Sequence, residues 1–229
     1  ATPATDFTYS NLNGTYCTIT GYTGSDSVIV LPDQSPDGHI VQEVAAYAFR
    51  NNKNLTSVAF SGAIQTVGDS AFNNCTNLIS VVLPEGMTGI SRFAFQNCTS
   101  LEEIHLPDSV ATIGYSVFNG CSKLRSVNYP QSLEKMDNWG GNTSPFANCK
   151  SLTSIDIPEG VTQIPSYMFY NASNLVSVGL PSTLKTIGYG AFNGCTGLTE
   201  ISLPDGIETL GNYAFNGCTK LTSVSIPGS

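Results

Sequence analysis

The chain has 229 residues, 41% hydrophobic and only 11% charged, with 9 Lys+Arg against 17 Asp+Glu and a net charge of -8. That balance supplies no basic stripe for a nucleic-acid partner. No apolar run approaches the roughly 18 residues that a membrane-spanning helix needs. The low charged fraction leaves few carboxylates for acid–base chemistry.

Residues 1 to 43 come first and fit no repeat well. No signal peptide opens the chain, and Ala1 to Asp6 reads as the start of a mature or trimmed protein. Thr15–Ile19 and Ser27–Leu31 read as strands punctuated by Gly21 and Gly24, an N-terminal cap with an irregular first coil.

From residue 44 to 229 the chain repeats itself. Leu55, Leu78, Leu101, Leu124, Leu152, Leu175, Leu198 and Leu221 stand 23 residues apart, except for one step of 28. Phe49, Phe72, Phe95, Phe118, Phe146, Phe169, Phe192 and Phe215 each precede their leucine by six residues. A proline follows seven of the eight leucines six residues on, and Ser61 takes its place in the first copy. Self-similarity at a fixed period marks a repeat array, here one continuous domain of about eight copies.

Each copy has the same local logic. Stretches such as Val81-Val82-Leu83 and Ile104-His105-Leu106 alternate as a half-buried strand does. Proline then ends the strand because it cannot donate to a ladder. A turn and a second short apolar pair follow, as in Val110 and Ile113. Next comes Ala-Phe, as in Ala71-Phe72, read as a short helical turn. Two residues after every Phe stands Asn or Gly: Asn51, Asn74, Asn97, Gly120, Asn148, Asn171, Gly194 and Gly217. These types adopt positive φ most readily, so the position is expected to be a left-handed cap. A 23-residue unit cannot bury its own apolar face, but stacked neighbours can. Strands about 4.8 Å apart would then form one parallel sheet, with the bulkier turn side splayed so that the sheet is concave.

The unit Leu101-x-x-Ile104-x-Leu106-Pro107, Val110-x-x-Ile113-Gly114, Phe118-x-Gly120-Cys121 resembles the BspA-like, or Treponema-type, leucine-rich repeat family over about residues 44 to 227. The resemblance implies a leucine-rich repeat solenoid: a right-handed β/α superhelix, one parallel sheet on the concave face, and short helical turns or loops on the convex side. It also implies an extracellular or cell-surface location and an adhesive or host-binding role, not catalysis.

The residues themselves offer little chemistry. Six of the seven cysteines share one repeat position, where Asn52 and Ala172 stand in other copies. A small buried residue suffices there, so free thiols are expected rather than disulfides. No C-x-x-C supports a zinc site. The chain has two histidines, and His105 points out of its strand while the cysteine column faces inward. No G-x-S-x-G, P-loop or dinucleotide motif is present. The six N-x-[ST] sequons, at Asn13, Asn54, Asn74, Asn97, Asn142 and Asn171, include asparagines needed for cap geometry. The reading is therefore non-enzymatic, with no metal or cofactor.

Two functions compete: a surface module that binds a protein or glycan, and a structural spacer without a ligand. Most outward strand positions are small and monotonous, as a spacer would have them. The middle copies are richer. Glu102, Glu103, His105, Arg125, Asn128 and Asp156 form a strip of mixed charge. Trp139, the only tryptophan, sits in a five-residue insertion within 131–146 and is a candidate to reach that strip. The last strand ends at Ile226-Pro227-Gly228-Ser229 with no atypical repeat after it, so that edge is expected to be covered by another segment or to self-associate.

Overall fold

The computed structural model describes residues 2–133, the backbone of residues 135–136, and residues 144–225. Trp139, Asn142 and Ile226–Ser229 lie outside the described residues.

The chain winds as a β-solenoid of about nine turns, and each turn contributes to two lines of parallel strands. The outer line comprises β3 (Val28–Val30), β5 (Ser57–Ala59), β7 (Ser80–Val82), β9 (Glu103–Ile104), β11 (Ser126–Val127), β13 (Ser154–Asp156), β15 (Ser177–Gly179), β17 (Glu200–Ser202) and β19 (Ser223–Ser225). The second line comprises β2 (Tyr16–Tyr22), β4 (Ile40–Val44), β6 (Thr66–Val67), β8 (Gly89–Ile90), β10 (Thr112–Ile113), β12 (Lys135–Met136), β14 (Gln163–Ile164), β16 (Thr186–Ile187) and β18 (Thr209–Leu210). Registers advance by one repeat, so Ser57 faces Ser80, which faces Glu103, which faces Ser126. The N-terminal β1 (Phe7–Asn11) pairs antiparallel with β2 and forms the edge of the second line. Phe7 is buried against Tyr22 and Phe49 with ring centroids 5.0 and 6.5 Å apart, which covers the first ring of the phenylalanine column.

Two expectations are corrected. There is a second line of strands where a single sheet was expected, because the short apolar pair of each copy also bridges to its neighbours. The Ala-Phe segments are not helical turns. The only helix among the described residues is the 3-10 turn Ala4–Asp6, outside the repeats. Spacing explains this. Packed helices need about 8–10 Å between axes, whereas coils tied by strands sit about 4.8 Å apart. The Ala-Phe segment instead splits its amides. Tyr47, Phe49 and Asn51 donate N–H to Asp69, Ala71 and Asn73 of the next coil, while Ala48, Arg50 and Asn52 close i→i−3 turns. The turn side is thus tied to its neighbours by hydrogen bonds, as the strand side is.

The core is columnar. The eight ladder phenylalanines stack nearly parallel, at centroid spacings of 4.7 to 6.1 Å. The leucine column from Leu55 to Leu198 is fully buried beside it. The Asn/Gly position holds positive φ in all eight copies, from 58° to 79°. A second left-handed position stands two residues before the phenylalanine, at Tyr47, Ser70, Phe93, Ser116, Tyr167, Gly190 and Tyr213. All seven cysteines are free thiols. In the six repeat positions each Sγ–H donates to the carbonyl of a ladder phenylalanine in an earlier coil, at 3.1 to 3.3 Å. Cysteine is therefore more than a small filler here, since its thiol adds a bond between coils. Burial pushes Cys75 up to about 12 and Cys218 to about 11, and raises Cys98, Cys121, Cys149 and Cys195 well above the ordinary thiol range.

Candidate functional site

In each outer strand the middle residue is turned to the core and its neighbours face outward. Ile104, Val127 and Ile155 are buried, while Glu103, His105, Ser126 and Asp156 are exposed. Of the residues singled out in the sequence, Glu103, His105, Asn128 and Asp156 line one face, with Ser126 paired to Glu103 in register, while Glu102 and Arg125 do not line it. A depression of about 590 Å³ covers it, running from Ser80 and Val82 through Glu103, His105 and Asn128 to Ser154 and Asp156.

The floor of this depression is not a uniform sheet. The outer line is divided into β3 to β11, β13 with β15, and β17 with β19. One division, between β11 and β13, falls inside the depression and coincides with the repeat lengthened by insertion. Just before it, Asn128 turns its amide into the ladder: Oδ1 accepts from the Leu106 amide and Nδ2 donates to the Leu106 carbonyl, both at 2.8 Å. At the same step elsewhere, Leu31, Phe60, Ile157 and Leu203 donate to a backbone carbonyl. Asn128 thus replaces a backbone pairing and holds the end of β9 against β11. Its amide is committed to the scaffold, while its neighbours face solvent.

Asp156 has a different support. A Cβ at Gly179 in β15 would run into Asp156 Oδ1, so glycine there leaves room for the carboxylate to lie over the next strand. Glu102 and Arg125 share a backbone bond, Arg125 N–H to the Glu102 carbonyl at 2.8 Å, and form no ion pair with each other. Trp139 was the other candidate, and it lies outside the described residues.

The histidines and thiols are kept apart. His105 is exposed on the outer strands, and His39 Nε2 lies 3.3 Å from Asn11 Nδ2 near the N-terminus. The repeat thiols lie at the turn side, inside the core except for the partly buried Cys218. Among the described residues no group of His, Cys, Asp and Glu could hold a metal ion. No helix among them is long and apolar enough to cross a membrane. Of the sequon asparagines, Asn74, Asn97 and Asn171 occupy the left-handed cap.

A family model for the BspA type leucine-rich repeat region matches residues 39–139 and 142–229, with six copies. A T. pallidum leucine-rich repeat protein has a similar structure, with a TM-score of 0.78 and 36% identity, covering 86% of this chain and 90% of that one. A leucine-rich repeat protein from Eubacterium ventriosum gives a TM-score of 0.50 at 19% identity, over 93% of this chain and 68% of that one. A leucine-rich cell surface protein from Faecalibacterium prausnitzii gives 0.47 at 20%, over 98% and 94%. No curated protein matches the chain. On the strength of the repeat model over most of its length, this protein is a member of the BspA-type leucine-rich repeat family.

Proposed function

We propose that this repeat scaffold is a non-enzymatic binding module, displayed extracellularly or at a cell surface, that recognises a protein or glycan through its outer strand face. The observation that carries the reading is the depression over β7 to β13, where Glu103, His105 and Asp156 break an otherwise serine-rich surface. Their strands are fixed by hydrogen bonding on both sides of the strip, so little conformational entropy is lost on binding. The membership of the chain in a family with secreted and surface-exposed members supports the location. Ser hydroxyls, carboxylates and an imidazole suit hydrogen bonding to a polar partner. The described part of the depression lacks an aromatic anchor, so binding there is expected to be weak per site and to gain from several copies.

The spacer reading is favoured by one observation: past β13 the outward positions are Ser177, Gly179, Glu200, Ser202, Ser223 and Ser225, small residues with Glu200 as the one charged side chain. A panel of immobilised fibronectin, laminin and mucin-type glycans separates the two. The binding reading predicts that one member captures the protein, and that the His105→Ala/Asp156→Ala double variant loses most of that signal. Capture unchanged in the double variant removes the strip as the site, and capture of nothing on the panel favours the spacer.

A further inference from the structure

A second concavity, of about 390 Å³, opens on the turn side, away from the outer strand face. Asp69, Arg92 and Tyr115 hold one repeat position in three successive coils, spaced by 23 residues. Arg92 Nε donates to Asp69 Oδ2 at 2.6 Å, and its Nη1 donates to Tyr115 Oη at 3.4 Å. The same guanidinium lies 5.9 Å from the Tyr115 ring centre, and Phe93 meets that ring edge-on at 4.8 Å. In the coil before, the Arg50 guanidinium lies 5.4 Å over the ring of Tyr47. Arg50 is exposed and makes no ion pair among the described residues.

These rings are not required by the backbone. Tyr47 and Phe93 hold φ of 64° and 59°, a region that strains bulky residues. Gly190 meets the same demand without strain, and Ser70 and Ser116 meet it with small side chains. Burial does not offset the strain at Tyr47, which is 56% exposed. Large rings have been placed where the fold would accept small residues, and they stand beside two of the three arginines of a chain with net charge -8. Tyr167, Tyr189 and Tyr213 meet at steep angles in the same turn columns further along, with ring centroids 5.2 and 5.3 Å apart and no arginine among them.

We propose that this turn-side pocket binds a carboxylate-bearing sugar of the uronic acid type, as a second site distinct from the outer strand face. The guanidinium of Arg50 presents a planar fork that matches a carboxylate. The exposed ring of Tyr47, with Phe93 and Tyr115 in the lining beside it, offers flat apolar surface for the C–H face of a pyranose. Asn73 Nδ2 donates to Gln96 Oε1 at 2.8 Å, which leaves the Asn73 oxygen and the Gln96 nitrogen to pair with sugar hydroxyls. Asp69 decides between ligand classes. Its carboxylate disfavours an acidic peptide, whose charged side chains bring no hydrogen-bond donors, but accepts hydrogen bonds from a uronic acid, which carries hydroxyl donors beside each carboxylate. The volume falls within the range of about 300–1,000 Å³ usual for small-molecule pockets.

The test is calorimetric titration of the whole protein with tri-galacturonate, with neutral maltotriose and with a hexaglutamate peptide. Tri-galacturonate is expected to bind, and maltotriose and the peptide to bind at least about tenfold more weakly. Arg50→Ala and Tyr47→Ala should each weaken the trimer by about tenfold. Arg50 has no ion pair to lose, so that variant keeps the fold, which far-ultraviolet circular dichroism checks. Tyr213→Ala and the strand-face His105→Ala/Asp156→Ala variant should bind the trimer as wild type does. The proposal is overturned if the trimer fails to bind at millimolar concentration, if maltotriose or hexaglutamate binds as well, or if Tyr213→Ala loses as much as Tyr47→Ala.

Discussion

Truncating one ladder phenylalanine tests the columnar core quantitatively. Phe118 is fully buried, between Phe95 at 5.8 Å and Phe146 at 5.6 Å, with both rings nearly parallel to its own. A buried phenylalanine removes about 150–250 Å² from water, worth about 4–6 kcal/mol at 25 cal/mol per Å². Alanine retains part of that, but two stacking contacts of about 0.5–1.5 kcal/mol each are also lost. The neighbouring coils are held at hydrogen-bonding distance along the second line of strands and on the turn side, so they cannot close in on the vacated space. Phe118→Ala should therefore cost about 3–5 kcal/mol. Phe215 has one described stacking partner, Phe192 at 5.5 Å, and is only partly buried. Its replacement by alanine should cost about 1–3 kcal/mol. Urea unfolding followed by circular dichroism reads both, and with a slope of about 2–3 kcal/mol per molar the Phe118 variant should lose roughly 1–2.5 M in midpoint. An unchanged midpoint for Phe118→Ala, or equal losses for the two variants, would refute a continuous stacked column.

Three further outcomes follow from the turn geometry and the thiols. Asn97 holds φ of 58°, so Asn97→Gly should be nearly neutral while Asn97→Val costs about 1–2 kcal/mol; equal melting temperatures would remove the left-handed cap. In the native protein the buried repeat thiols should react slowly with a disulfide reagent at pH 8, with Cys218, the half-buried one, first among them, and all seven should react at once after unfolding; fast native labelling of Cys121 would contradict the packing. Burial raises the folded-state values of Cys75 to about 12 and of Cys218 to about 11, above an unfolded thiol near 8.5. Below pH 8.5 both states are protonated and the contribution is fully present. It is lost as pH rises toward 11 and 12, because the unfolded chain releases its protons first. Stability measured by urea midpoint should thus fall steeply above about pH 9, and the fall should lessen in a Cys121→Ala/Cys149→Ala variant; a slope unchanged by that variant would assign it to other groups.

The period, the phenylalanine and leucine columns and the Asn/Gly cap were legible in the sequence because each repeats at a fixed step with one residue class. The second line of strands was not, since pairs such as Thr112–Ile113 are too short for period-2 alternation to declare itself. A short Ala-Phe segment suits a helical turn locally, and only the coil spacing forbids it. The left-handed φ at Tyr47, Phe93, Tyr167 and Tyr213 left no compositional mark, because aromatic residues are not what that geometry selects. Exposure of Glu103, His105 and Asp156 followed from strand alternation. The pairing of Asn128 with Leu106, the seat of Asp156 over Gly179 and the lapse between β11 and β13 depend on the stacking of whole coils, which no single copy of the repeat expresses. The turn-side pocket did have a signal, the column Asp69, Arg92, Tyr115 at 23-residue steps.

The most direct test of the outer strand face is hydrogen–deuterium exchange of the protein alone and bound to whichever member of the fibronectin, laminin and mucin-glycan panel captures it. The account predicts slowed exchange confined to residues 103–106, 126–128 and 154–156, with the turn segments around each ladder phenylalanine unchanged. Slowed exchange elsewhere with none in those three segments, or no panel member captured, would contradict it.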